Sequence, residues 1–316
     1  LAGAGWLLLP RGFPARYLGV VALLPLFLVF PAQPQDGELR LIVLDVGHGL
    51  AVIAQTREHS LLYDAGPSFS PGSDTGNRII VPYLRAAGIR QLDGMIVSHD
   101  DADHHGGAES VLQAVPVAWL MSSLPDLDPL PLQAQDAVRC FSGQQWTWDG
   151  VRFEVLHPAR GSYDEGGIRD NDRSCVLRIT TAGGSVLLPA DIELASERGL
   201  VMADAPLAAE VLVAPHQGSK SSSSAPFVDA VRPRVVIFPI GYRNRFGHPH
   251  PDVIARYRAA GAALYRTDQD GAVLITLGAH ARAVMQSYRN VYRRYWHARS
   301  EAGAGRLDSD LATFLE

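Results

Sequence analysis

Lysine is nearly absent from this 316-residue chain: Lys220 is the only one, while arginine is abundant. That imbalance reads as a trace of genomic base composition, so arginine frequency carries no weight as a nucleic-acid signal. A formal net charge of −5 argues against a broadly basic surface that binds DNA by charge alone. Only two cysteines occur, Cys140 and Cys175, too few for a disulfide scaffold or a cysteine-based zinc framework. Cys175 lies in an apolar strand pattern, and of the two readings, a disulfide between them or two buried free thiols, the thiols are expected. No repeat of fixed short period appears. The charge-free apolar run from Tyr17 to Phe30 has 14 residues, short of the roughly 20 that cross a bilayer.

What is present describes a globular chain: 47% of residues are hydrophobic and 19% charged, enough for a large core. Residues 1–37 read as the end of a membrane region with a linker. Residues 38–290 form the main domain, and 291–316 a basic and aromatic tail that becomes disordered from Glu301. Despite its shortness, the run after Tyr17 is expected to be the last transmembrane helix of a polytopic protein. Arg11 and Arg16 precede it and Asp36 and Glu38 follow, which puts the N-terminal side in the cytoplasm and the domain outside. A signal peptide fits less well, because no small-x-small cleavage site or initiating Met is present. The chain opens on Leu1 and is expected to be the C-terminal piece of something longer. Tyr288 to Trp296 interleaves basic and aromatic residues, a pattern for stacking on single-stranded nucleic acid or for an amphipathic helix packing on the domain or the membrane.

Apolar segments at 39–45, 50–54 and 60–64 predict three strands separated by turn residues. A loop follows from Gly66 to Gly76, then a helix from Asn77 to Ala87 that stops at Gly88. A second set of strands begins near Gln145, and strands alternate with helices from Ile192 to Thr276. Two groups of strands, each accompanied by helices, predict an α/β fold: a two-sheet sandwich with helices outside and a site at the shared edge.

The stretch Ser98 to Gly107 carries the chemistry. It follows the apolar Gly94-Met95-Ile96-Val97 and concentrates His99, Asp101, Asp103 and His104 on a tight loop at a strand end. Imidazole nitrogen and carboxylate oxygen together suit Zn²⁺ or Mn²⁺ better than a metal that prefers thiolates. Gly106-Gly107 lets the next helix start close to that cluster. Further apolar segments end in a carboxylate or imidazole: Asp64, Asp191, His216, and the His248-Pro249-His250 loop. A lone His after a strand is more often a satisfied polar residue than a ligand. The recurrence of strand followed by His or Asp is what points to a dinuclear site.

These residues resemble a known family. Leu44-Asp45-Val46-Gly47-His48-Gly49, Leu61 to Gly66, the His99 motif, Leu187 to Asp191, Pro215 to Lys220 and Asn244 to Pro249 look like the metallo-β-lactamase fold. Within it they resemble the C-terminal domain of the ComEC-like competence family of DNA internalisation. The resemblance covers about residues 38–290 and implies a four-layer αβ/βα sandwich with two divalent ions, Zn²⁺ or Mn²⁺. It implies His99, Asp101, Asp103, His104, Asp191, His216 and His248 as metal ligands, with Asp191 bridging and with Asp103, Asp191 and His216 in catalysis. Asp45 and Asp64 match structural or ligand-orienting positions.

Three residues depart from the family pattern. Gln217 stands where a second histidine is usual, His48 where Gln is common, and Ala190 where Gly precedes the bridging Asp. The fold's middle histidine ligand has no counterpart in Asn171 to Cys175, so one metal position is weakened or is completed by His216.

About three carboxylate charges against two divalent ions leave a locally positive site, which suits phosphodiester hydrolysis. Ser219, Lys220 and Arg245 are candidate contacts to a phosphate backbone, while the serines from Ser221 to Ser224 fit a flexible loop equally well. The implied function is a nuclease that degrades one DNA strand at the bacterial inner (plasma) membrane. Its partners are DNA, the membrane through the N-terminal segment, and an upstream channel region of the same protein. The alternatives are hydrolysis of another phosphodiester such as a phosphorylcholine ester, and a non-catalytic module that guides DNA.

Overall fold

A computed structural model describes residues 2–10, 12–24, 32–278 and 283–295. The strands in chain order are β1 (Leu39–Val43), β2 (Val52–Gln55), β3 (Ser60–Tyr63), β4 (Ser68–Ser70), β5 (Ser73–Asp74), β6 (Leu92–Val97), β7 (Val117–Ser122) and β8 (Ala137–Arg139). They continue with β9 (Gln145–Trp148), β10 (Val151–His157), β11 (Val176–Thr181), β12 (Gly184–Leu188), β13 (Val211–Val213), β14 (Val235–Phe238), β15 (Ala263–Arg266), β16 (Val273–Leu277) and β17 (Val284–Ser287). One sheet runs β17-β16-β1-β2-β3-β6-β7-β8 and the other β15-β14-β13-β12-β11-β10-β9. The pair β4-β5 is a small separate hairpin inside the expected 66–76 loop.

Alternation along each strand decides the layering, because successive side chains point to opposite faces. Leu39, Leu41, Val43, Leu61 and Tyr63 share one buried cluster with Val186, Leu188, Val211, Val213, Val235 and Ile237 of the other sheet. The residues between them, Ile42, Leu62, Met95 and Val97, face outward. There they pack with Leu84 of helix Val81–Ala86 and Val111 of helix Ala108–Ala114. On the second sheet, Leu187, Leu212, Val236 and Phe238 bury against Leu200, Phe227, Val228, Val253 and Tyr257. Those come from helices Leu194–Met202, Ala225–Val231 and Pro251–Ala259. The result is helix, sheet, sheet, helix.

Helix boundaries follow local chemistry. Pro226 and Pro251 sit in first turns, where no backbone donor is needed. The helical segment expected from Asn77 begins as a wider π turn, Gly76–Ile80, before Val81–Ala86. It stops at Gly88, whose φ of +76° only glycine adopts freely.

The thiol expectation is corrected: Cys140 and Cys175 form a disulfide, with Cα atoms 6.1 Å apart. Their backbone amides bond to Ser122 and Ser98, at the ends of β7 and β6, so neighbouring strands deliver them to one buried spot. Among the described residues, no helix is long and apolar enough to cross a membrane. The stretch after Tyr17 holds only the short helix Leu18–Val21, and residues 25–30 of the expected span lie outside the described residues. The expected disorder from Glu301 also lies outside them.

Candidate metal centre

In β3, β6, β7 and β8 neighbours run parallel, as they do in β12, β13, β14 and β15. Asp64, His99, Asp191 and His216 follow the carboxyl ends of β3, β6, β12 and β13, and His248 lies on the loop after β14. Parallel strands leave their carboxyl ends at one edge, where divergent loops form a crevice. Left-handed backbone turns aim several of these groups: Asp64 (φ 58°), Ala190 (φ 50°), His216 (φ 48°) and Gln217 (φ 48°). Such conformations cost about 1–3 kcal/mol each for residues other than glycine. The His216 amide bonds to the Ala190 carbonyl at 2.9 Å, so two of these turns hold each other. Below them, the buried Tyr63 hydroxyl donates to the carbonyls of Cys175 (2.6 Å) and Leu188 (3.2 Å), joining the sheets.

His99, His104 and Asp191 are buried, and their ligand atoms lie within 4.8 Å of one another. Asp64, fully buried, accepts from the Ser98 amide (2.7 Å) and hydroxyl (2.8 Å) and faces His104 Nδ1 at 2.8 Å. The Ser98 hydroxyl also meets His99 Nδ1 at 2.9 Å. Both imidazoles are thus held from behind and present Nε2 to the site. His104 Nε2 lies 3.1 Å from Asp191 Oδ1. His99 Nε2 is buried and makes no hydrogen bond, although Asp101 Oδ2 is 3.3 Å away.

The Gln217 amide nitrogen shows what the site suits. It lies 2.9 Å from His104 Nε2, 3.2 Å from both Asp191 oxygens and 3.3 Å from Asp103 Oδ2. An amide nitrogen has two hydrogens to give, and three carboxylate oxygens and an imidazole nitrogen converge on it. A cation satisfies all of them together, and the donor set of imidazole and carboxylate is one that divalent metals take.

Electrostatics agree. Burial opposes charge on His104, but Asp191, Asp64 and Asp103 outweigh it and push its pKa well above the usual imidazole value. Burial likewise opposes ionisation of Asp191, yet the imidazoles of His104, His99 and His216 hold it far below the usual carboxylate range.

The opposite wall is looser. His216 places Nε2 3.7 Å from Asp191 Oδ2 and Nδ1 3.4 Å from Glu193 Oε1. Its ring centre is 5.8 Å from that of His248, which lies 5.6 Å from that of His48. Among the described residues, His48 Nδ1 and His248 Nδ1 are buried without a hydrogen-bond partner. Burial lowers the pKa of His48, and burial with the neighbouring His48 and His216 lowers that of His248 to about 4.

Residues 44–241 match the family model described as "Metallo-beta-lactamase superfamily". This chain belongs to that superfamily. It is 37% identical over 292 residues to "Competence protein ComA" of Neisseria gonorrhoeae, covering 92% of this chain and 39% of that protein. It is 34% identical over 258 residues to "Recombination protein 2" of Haemophilus influenzae, covering 81% and 31%. To "ComE operon protein 3" of Bacillus subtilis it is 28% identical over 267 residues, covering 78% and 34%. The chain therefore spans about two fifths or less of these relatives. The resemblance to the ComEC-like competence family is consistent with these matches. Among solved structures, CmlA, a diiron β-hydroxylase from Streptomyces venezuelae, superposes with a TM-score of 0.50 at 17% identity over 81% of this chain and 55% of CmlA. That likeness concerns the fold alone. The superfamily fold implies divalent metal ions.

The seven expected ligands fall unevenly around this centre. His99, His104 and Asp191 form its buried heart, and Asp101, Asp103 and His216 lie at its margin. His248 reaches it through His216. Asp45 does not touch a ligand: its carboxylate pairs with Arg289 at 2.7 Å. Lys220 and Arg245 are exposed, while Ser219 is buried with its hydroxyl 3.0 Å from that of Ser221. The serine run is neither loose nor wholly turned to the site. Ser223 and Ser224 donate their amides to the Glu197 carboxylate, and the Ser222 hydroxyl donates to the Pro215 carbonyl.

Glu193 was missed in the sequence. Besides His216, it accepts from the Ser221 hydroxyl at 2.9 Å and pairs with Arg169 at 2.5 Å. Its only sequence signal is its position two residues after Asp191.

Proposed function

We propose that this chain is the metal-dependent phosphodiesterase part of a membrane DNA-uptake protein, cleaving one DNA strand as the other is imported. The observation that carries the reading is the convergence of His104, Asp103 and both Asp191 oxygens on a single amide nitrogen, beside His99 Nε2, which faces Asp101 at 3.3 Å. Similarity to competence and recombination proteins supports DNA as the phosphodiester. His99, His104, Asp191, Asp101, Asp103, His216 and His248 would hold two divalent ions, Zn²⁺ or Mn²⁺. Bound ions supply positive charge that stabilises the extra negative charge of phosphoryl transfer and lower the pKa of water at the site. The chain's own residues do the positioning. Asp64 and Ser98 set the His104 and His99 rings, and Glu193 sets His216.

Lys220, Ser219 and Arg245 would meet the phosphate backbone. The run from Tyr17 to Phe30 would anchor the domain at the plasma membrane, on its outer side, beside the channel region. Metal content and cleavage of single-stranded DNA by the full chain test the proposal, with Asp191→Ala and His104→Ala beside it. About two ions per chain and loss of cleavage in both variants are expected. Metal without cleavage of DNA would move the activity to another phosphoester, and absence of metal would overturn a catalytic role.

A further inference from the structure

The loop after β14 carries two exposed aromatic rings, each paired with a guanidinium. Arg243 lies over Tyr242 at 5.2 Å and Arg245 over Phe246 at 4.9 Å, with Tyr242 68% and Phe246 54% exposed. Phe246 is braced from behind by the His48 imidazole, ring centres 4.7 Å apart and planes 19° from parallel. The loop is fastened. Asn244 accepts from the His248 amide at 3.0 Å and donates to its carbonyl at 2.7 Å. Gly241 packs so close that a Cβ there would come within 2.7 Å of the His48 amide nitrogen. From Phe246 the path inward is short: its ring is 5.9 Å from that of His248, which neighbours His216 beside Asp191.

Arg243 and Arg245 pair with no carboxylate among the described residues, as is also true of the exposed Arg85, Arg198 and Arg232; what sets these two apart is that each lies over an exposed ring on the loop that carries His248. Two cations without counter-charge, laid over two exposed rings at the mouth of a phosphodiesterase site, match one chemistry. Bases stack on aromatic and guanidinium planes while phosphates satisfy the charge. A paired duplex has its base faces already stacked, so only a strand with free bases fits.

We infer that Phe246, backed by His48 and flanked by Arg243 and Arg245, is a base-stacking platform that selects single-stranded DNA and positions its phosphodiester at the metal centre. This rests on the phosphodiesterase reading. The test is fluorescence anisotropy of the metal-loaded full chain with a cleavage-resistant phosphorothioate oligothymidylate, an abasic strand of equal length and a duplex.

Wild-type protein should bind the oligothymidylate above the other two probes. Phe246→Ala should weaken that binding roughly tenfold, a stacking-sized loss, and bring it to the abasic value. Phe246→Trp should restore it. Equal binding by wild type and Phe246→Ala, or an equal loss on the abasic strand, would overturn the platform. Cosedimentation with phosphatidylglycerol vesicles is run beside the three probes, and a Phe246→Ala loss confined to the vesicles would overturn the platform in favour of membrane contact. Failure of the underlying reading is separately visible as absence of metal-dependent cleavage by wild-type protein.

Discussion

The two walls of the metal centre are built differently. The wall after β3 and β6 holds Asp64, His99 and His104, fully buried, with ring nitrogens held from behind at 2.8–2.9 Å. The wall after β13 and β14 holds His216 and His248, partly exposed, with ring contacts near 5.8 Å and an unpartnered His248 nitrogen. Burial with a full set of partners fixes rotamers and tautomers before any ion arrives. Partial exposure leaves room for the other participant. The first wall is set to hold a cation, and the second is open beside Phe246, whose ring lies 5.9 Å from that of His248.

The largest expected effect is on the tight wall. Asp64→Asn keeps an acceptor for the Ser98 amide and removes the charge behind His104. Metal affinity should fall by about 10- to 100-fold, the usual cost of losing a group that orients a ligand, as read by calorimetric titration. Unchanged affinity would mean that the tight wall is scaffold only. A smaller effect is expected on the loose wall. Glu193→Gln should weaken metal binding at the low end of that range, about tenfold, because Ser221 still lies 3.4 Å from His216 Nδ1. A loss as large as that of Asp64→Asn would erase the distinction between the walls.

The smallest effect is on stability, and its sign differs between walls in the metal-free protein. His104 has a raised folded pKa. Its contribution is fully present below the unfolded value of about 6.5 and is lost as pH rises through the raised folded value. His248 is lowered to about 4. Its contribution is present above about pH 6.5 and is lost as pH falls toward 4. Thermal melts of metal-free chain across that acid range should therefore fall, and His248→Gln should flatten the fall. An acid limb unchanged by His248→Gln would show that this imidazole titrates normally.

Much of the tight wall was legible in the sequence. His99, Asp101, Asp103 and His104 lie within six residues of each other after one apolar strand, and local spacing reveals such a cluster. The sandwich was legible too, since Leu39, Leu41 and Val43 alternate with residues that bury on the other face. The loose wall was legible only as isolated residues. Gln217 meets His104 across 113 positions, and the serines after Lys220 turn toward Glu197, 27 positions upstream of Ser224. The Cys140–Cys175 pairing was likewise hidden, because it depends on where β6 and β7 end in space.

Period-two burial and polar residues at strand ends are written in consecutive positions, so the sequence by itself determined the strands, the helices between them and the identity of the candidate ligands. Only the tertiary structure decided which ligand nitrogens are free, which carboxylate stands behind which imidazole, and that Phe246 is braced on His48. Those depend on distances between segments that share no local pattern, and they are settled when the two sheets pack and bring their strand ends to one edge.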